Sequence, residues 1–333
     1  MRRTDSPAGT IRTLTVTSDA LADNMLGDPA TRLVPVYIPA GHDGTDIPLL
    51  VDLAGFTGSG LSHLGWKNFG ENLPERLDRL IAGGMDPVCV ALPDCFTRLG
   101  GNQYINSVAM GRWADYLTGD MLNTVEAEIG CGGRGRRGLF GKSSGGYGAM
   151  VHAMQHADTW SATACLSGDS AFEWGYLPDM PAALRTLAKH DSIEAFVRSI
   201  ETADKVKGGD IHTLMTLAMA ATYDPDPDAF CGIRLPVDLH DGTLDPDRWA
   251  AWLAHDPVRM IPNHVDALKS LKALWIECGT EDQYNLLYGA RQMQASLDRA
   301  GVAHTYEEFP DNHSSLDYRL DRCLPVLASA LAA

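Results

Sequence analysis

Residues 137–150 read Arg-Gly-Leu-Phe-Gly-Lys-Ser-Ser-Gly-Gly-Tyr-Gly-Ala-Met. Within them Gly141-Lys142-Ser143-Ser144-Gly145 fits G-x-S-x-G, preceded by a short apolar run and followed by residues that can start a helix. That is the pattern of a sharp strand-to-helix turn, which lifts a serine hydroxyl above a sheet. A serine held this way sits in strained backbone, so the positions two before and two after it need almost no side chain. Gly141 and Gly145 meet that need around Ser143; around Ser144 the first small-residue position would fall to Lys142. The chemistry such a serine can do is attack on a carbonyl carbon. It needs a base, a carboxylate to orient the base, and N–H donors for the oxyanion. The backbone N–H of Ser144, opening the helix, is the first donor expected.

Two overlapping motifs fail. A P-loop ending at Gly141-Lys142-Ser143 needs glycine at 136, which is Arg. Gly133–Gly138 spells G-x-G-x-x-G, but it precedes a strand and carries Arg where a pyrophosphate must approach.

For the base, His313 stands directly after the last strand expected, in Phe309-Pro-Asp-Asn-His-Ser-Ser. His190, His240 and His255 fall in a segment without strands. His152 and His156 have i, i+4 zinc spacing, but residue 153 is Ala and not the Glu of H-E-x-x-H, so no metal is expected. For the acid, Cys278-Gly-Thr-Glu-Asp-Gln places Glu281 and Asp282 just past a strand; Asp282 is preferred, Glu281 second. Asp169 is a weaker alternative, and Asp311 lies too near His313 in sequence. The second oxyanion donor is expected from the glycine-rich loop after residues 47–53, at Phe56.

The elements that must position these groups are legible from pattern. Strands are expected at 11–17, 33–39, 47–53, 87–93, 137–141, 162–167, 273–278 and 304–309. The prolines of 33–39 suggest an edge strand. Asn72-Leu-Pro-Glu75 reads as an N-cap with a capping box, followed by helical spacing. Further helices are expected over 113–129, 145–157 and 286–297. From about residue 170 to 263 the strand rhythm stops, and helical patterns with many aromatics take over. The expected organisation is one α/β domain over 1–333, a mostly parallel sheet with helices on both faces, and a helical cap insertion at 170–263. Ligands in such sheets bind past the C-terminal strand ends, where all the loops just named lie. Gly55, Tyr104, Trp174 and Tyr176 are the substrate-binding candidates.

The net charge of −16, from 43 acidic and 27 basic residues, argues against nucleic acid or an anionic membrane as partner. The seven cysteines are odd in number and lack C-x-x-C spacing, as reduced core residues would be. No signal-peptide pattern follows Met1-Arg-Arg, and no apolar run is long enough to span a membrane. A cytoplasmic location is expected, with no cofactor. The oligomeric state stays open, a homo-oligomer included.

The residues in hand resemble the putative-esterase family of α/β-hydrolases, which includes esterase D (S-formylglutathione hydrolase), enterobactin esterase-like enzymes and the mycolyltransferases. The esterase D elbow, G-H-S-M-G-G-Y-G-A, is similar to Gly141–Ala149, and the family's acid turn is similar to Cys278–Asp282. This chain departs from that branch at Lys142 and Ser144, and has Ala54-Gly55 where esterase D-type enzymes have His-Gly. The resemblance implies an α/β-hydrolase fold. Together these readings lead to a serine carboxylesterase for small to medium acyl esters, with a Ser143–His313–Asp282 triad and an acyl-enzyme. An acyltransferase or a thioesterase would use the same triad; a non-catalytic binding protein on a hydrolase scaffold is the reading of another class.

Overall fold

A computed structural model describes residues 5–333. Eight strands form one sheet: β1 (Thr10–Thr17), β2 (Thr31–Ile38), β3 (Leu49–Leu53), β4 (Cys89–Ala91), β5 (Arg137–Lys142), β6 (Ala162–Leu166), β7 (Ala273–Gly279) and β8 (Thr305–Phe309). Their order is β1-β2-β4-β3-β5-β6-β7-β8. β2 runs antiparallel to both neighbours and every pairing from β4 onward is parallel.

β2 is therefore not the edge strand that its prolines suggest; β1 covers it. The ladder tolerates Pro35 because its carbonyl still accepts from Leu92 N at 2.8 Å, and the bonding resumes beyond it with Asp94 N donating to Leu33 O at 2.9 Å, so the missing N–H interrupts it at one position.

The central strands are buried on both faces, so they read as continuous apolar runs rather than alternating ones. Leu49, Val51, Leu53 and Leu139 turn to one core, while Leu50 and Phe140 turn to the other. The second core is closed by α1 (Leu73–Ala82) and by the helix at the chain's end, through Leu73, Leu77, Leu324, Leu327 and Leu331. Each such fully buried side chain contributes about 1.5–3 kcal/mol. α1 begins with the capping box expected: Glu75 N donates to Asn72 Oδ1 at 2.9 Å and Asn72 N to Glu75 Oε2 at 3.1 Å. The helix expected over 113–129 is interrupted by a π turn at Leu117–Met121 and resumes as α2 (Leu122–Ile129).

On the opposite face lie α3 (Ser144–Gln155) and α5 (Leu286–Ala300); α4 (Gly208–Tyr223) packs on other helices of the segment between β6 and β7, and α6 (Leu320–Ala332) ends the chain. Between β6 and β7 the described chain adds no strand to the sheet. All seven cysteines are buried and unpaired. Among the described residues no helix is long and apolar enough to cross a membrane.

Candidate active site

Ser143 is the single residue between β5 and α3, at φ 58° and ψ −125°. A side chain other than glycine pays strain in that region. The flanking glycines explain how the turn closes. A Cβ on Gly145 would stand 1.7 Å from the Leu53 carbonyl oxygen, and one on Gly141 would stand 2.5 Å from the Gly145 backbone. Ser143 N donates to Leu166 O at 3.0 Å, and Ser143 O accepts from Tyr147 N at 2.9 Å. Sheet and helix thus hold the turn from both sides.

The loops after β7 and β8 meet beside it. His313 Nδ1 stands 2.7 Å from Asp282 Oδ2, and the Asp282 side chain is fully buried. Asp282 Oδ1 accepts from the backbone N–H of Tyr284 at 2.9 Å and, more weakly, of Leu286 at 3.4 Å. Those bonds fix the carboxylate. His313 N donates to Gln283 Oε1 at 2.9 Å, and the Tyr284 ring packs edge-on against the imidazole at 4.9 Å. With Nδ1–H donating to the carboxylate, Nε2 is left as the acceptor. Glu281 is exposed, Asp169 is engaged elsewhere and Asp311 accepts from Asn312 N and Tyr318 Oη, so of the four carboxylates weighed only Asp282 meets His313.

The loop after β3 packs on the elbow. A Cβ on Gly55 would lie 3.5 Å from Ser143 Cβ and 3.4 Å from Lys142 O. Phe56 is buried beneath Gly100 and Gly101; a Cβ on Gly101 would meet the Phe56 backbone at 2.3 Å. Ser144 opens α3, where helix geometry leaves its N–H without an intrahelical partner.

Ser143, His313, Gly55, Phe56 and Tyr176 line one cavity of about 330 Å³. Two of the expected substrate-binding residues stand outside it. Tyr104 is buried, and its hydroxyl donates to the Ala54 carbonyl, so it braces the loop from beneath instead of facing the cavity. The ring fits there because residue 148 is glycine: a Cβ would stand 2.6 Å from it. Trp174 is 54% exposed and lies against Tyr288, with its carbonyl accepting from Asn285.

His152 has both nitrogens engaged. Trp160 Nε1 donates to Nδ1 at 3.1 Å, so Nε2–H donates to Tyr104 O at 2.8 Å. Burial, then neighbouring His156, pushes its pKa down to about 3. Among the described residues no group of three or more His, Cys, Asp or Glu side chains could hold a metal ion.

The cavity also holds residues that sequence reasoning did not assign to it. Lys142 lines it, with burial lowering its pKa and Asp317 and Asp282 opposing that shift. Asp52 pairs with His63, whose pKa is raised chiefly by that carboxylate, and Asp317 pairs with Lys67. An acidic residue inside the apolar run of β3 was the available signal for Asp52. Asp169 lines the cavity too, its pKa raised by burial against the hydrogen bonds of Gln103 and Tyr176. Ile211 and Met215 of α4 add apolar lining.

The sequence matches the model of the Putative esterase family over residues 32–321. A search of the curated proteins found no match. Among solved structures, a ferulic acid esterase is similar at 17% identity and a TM-score of 0.62, covering 97% of this chain and 99% of that one. FphF, a fluorophosphonate-binding serine hydrolase of Staphylococcus aureus, is similar at 17% identity and a TM-score of 0.59, covering 96% and 99%. An S-formylglutathione hydrolase from Agrobacterium tumefaciens follows at 14% identity and a TM-score of 0.60, covering 98% of each. At these identities the structures establish the shared α/β-hydrolase fold. The family match extends from the second strand into the last helix, and the chain belongs to the Putative esterase family of ester-bond hydrolases.

Proposed function

We propose that this chain is a serine carboxylesterase for small to medium acyl esters, with Ser143 as nucleophile, His313 as base and Asp282 as the acid that orients it. One observation carries the reading: the 2.7 Å Asp282–His313 contact lies behind a cavity lined by both His313 and the strained Ser143. In this mechanism His313 Nε2 takes the Ser143 proton as Oγ bonds to the ester carbon. The carbonyl electron pair moves onto oxygen, where the N–H groups of Ser144 and Phe56 hold it. Collapse expels the alcohol, which leaves with the proton from His313. Water then repeats the sequence on the acyl-enzyme and releases the acid. Asp282 orients the imidazole and stabilises the imidazolium.

The absent side chain at Gly55 leaves room beside the nucleophile. We take segment 170–263 as a cap, with Tyr176, Ile211 and Met215 facing the substrate. A cavity of about 330 Å³ suits a short acyl group, since it lies at the small end of ligand sites.

Intact-mass labelling with a fluorophosphonate probe tests the reading. One adduct on the wild type and none on Ser143→Ala is expected. Adducts on both would move the nucleophile elsewhere. No adduct on either, with no turnover of p-nitrophenyl acetate, would overturn the esterase assignment.

A further inference from the structure

Beside the elbow lies a polar network that the ester chemistry leaves unused. Asp169, three residues past β6, is 7% exposed and lines the cavity. Its Oδ2 accepts from Tyr176 Oη at 2.9 Å, from Gln103 Nε2 at 3.0 Å and, at 3.4 Å, from Ser144 Oγ. Among the described residues no group donates to its Oδ1, which is not one of the polar atoms sealed in the interior without a partner. The one open oxygen of this carboxylate therefore belongs to the cavity.

The network is built to hold an acceptor there. Gln103 turns its NH₂ toward both Asp169 and Ser144 Oγ, each at 3.0 Å, and leaves its own Oε1 buried without a partner. Turning the amide over would set oxygen against oxygen. Tyr176, held at its other side 3.2 Å from Tyr223 Oη, also commits its proton to Oδ2. A carboxylate oxygen that opens to the cavity from an otherwise buried side chain has an unfilled acceptor position, which a ligand donor can occupy in a charge-assisted hydrogen bond. Ile211, Met215 and Leu286 also line the cavity and offer no polar side chain, and the polar His212 and Tyr284 that line it are paired with each other at 3.2 Å.

Resting on the serine-esterase reading above, we propose that Asp169 Oδ1 recognises a hydrogen-bond donor on the substrate, a hydroxyl or a protonated amine near the ester. The enzyme then selects esters bearing such a group over unsubstituted ones of equal length.

The test is pH-stat hydrolysis by the full-length protein of methyl butanoate, methyl 3-hydroxybutanoate, methyl 3-aminobutanoate and 2-hydroxyethyl butanoate. The second and third compare hydroxyl with amine; the fourth moves the donor to the alcohol side. At least one donor-bearing ester should exceed methyl butanoate in kcat/KM by about 10- to 100-fold, the worth of a hydrogen bond to a charged group. Asp169→Asn should lower that ratio about tenfold, because its amide oxygen must face the three donors and its NH₂ then faces the cavity, where it repels an ammonium and offers a hydroxyl only a neutral hydrogen bond. A wild type that turns over methyl butanoate yet favours no donor-bearing ester by more than about threefold overturns the role of Asp169 and leaves the esterase reading standing. So does a preference of unchanged size in Asp169→Asn. If no ester is hydrolysed and no fluorophosphonate adduct forms, both readings fall. Should the Asn variant not fold, competitive inhibition of the wild type by butanoate and 3-hydroxybutanoate, with 3-aminobutanoate and ethylene glycol against ethanol as the amine and alcohol-side pairs, decides. A donor-bearing inhibitor about tenfold tighter than its partner supports the proposal, and equal inhibition in all three pairs overturns it.

Discussion

Replacing Asp282 by Asn keeps the shape of the buried side chain and changes only what it offers His313. In the wild type, Oδ1 accepts from the N–H groups of Tyr284 and Leu286, and Oδ2 faces His313 Nδ1. The Asn oxygen must take the Oδ1 place, because an NH₂ there would oppose two backbone donors. Its NH₂ then faces Nδ1, which has to become the acceptor. The imidazole proton moves to Nε2, and the nitrogen facing the cavity can no longer take a proton from Ser143. A tautomer error of this kind costs about 10³- to 10⁴-fold in kcat, or about 4–5.5 kcal/mol at about 1.36 kcal/mol per decade. The assay is kcat/KM on a short-chain activated ester, with thermal melting to show that the variant is folded. Glu281→Gln, at an exposed neighbour, serves as the control and should leave kcat/KM within about twofold. A folded Asp282→Asn enzyme retaining more than about a tenth of wild-type kcat/KM would refute the reasoning, since no base with the wrong tautomer could sustain it.

Two further outcomes follow from groups behind the cavity. Tyr104→Phe leaves the Ala54 carbonyl without its buried donor, so stability should fall by about 1–3 kcal/mol in denaturant unfolding. kcat/KM should fall about tenfold as Gly55 and Phe56 loosen, and unchanged activity would mean that other contacts hold the loop. His152 is buried neutral with a pKa of about 3 against an ordinary 6.5, so the unfolded chain binds the extra proton between those values. Its contribution is intact above about pH 6.5 and is lost at about 1.4 kcal/mol per unit as pH falls toward 3; His152→Gln should flatten the unfolding-stability slope between pH 6 and 4 by about one proton. An unchanged slope would place the acid lability elsewhere.

What the sequence makes legible is what a backbone demands locally. The elbow needs glycine at 141 and 145 because a Cβ there collides with the backbone of residues 53 and 145. That requirement is written in adjacent residues. Asp282 and His313 are nearly as legible, since each stands just past a strand and the parallel sheet brings those ends together. Trp174 and Tyr176 show where this stops. They are two residues apart around a single helical turn, too short for any periodicity to say which ring faces inward, and one is 54% exposed while the other is 5% exposed. Tyr104 is decided by a gap at Gly148, far along the chain. Pro35 misleads because proline removes only a donor: its carbonyl still accepts from Leu92 N, and the bonding resumes at Leu33.

The same boundary separates reaction from selectivity. The groups assigned to bond-making here are short-range features of three loops, which is why a motif can find them. The Asp169 network joins Gln103, Ser144 and Tyr176 from three separate stretches, and the Asp52–His63 and Lys67–Asp317 pairs are likewise assembled only by the fold. Apart from the Ser144 hydroxyl, the groups in these pairings lie outside the elbow. An elbow and a triad therefore state the kind of bond, and the choice of ester has to be argued from the carboxylates and cations that line the cavity around them.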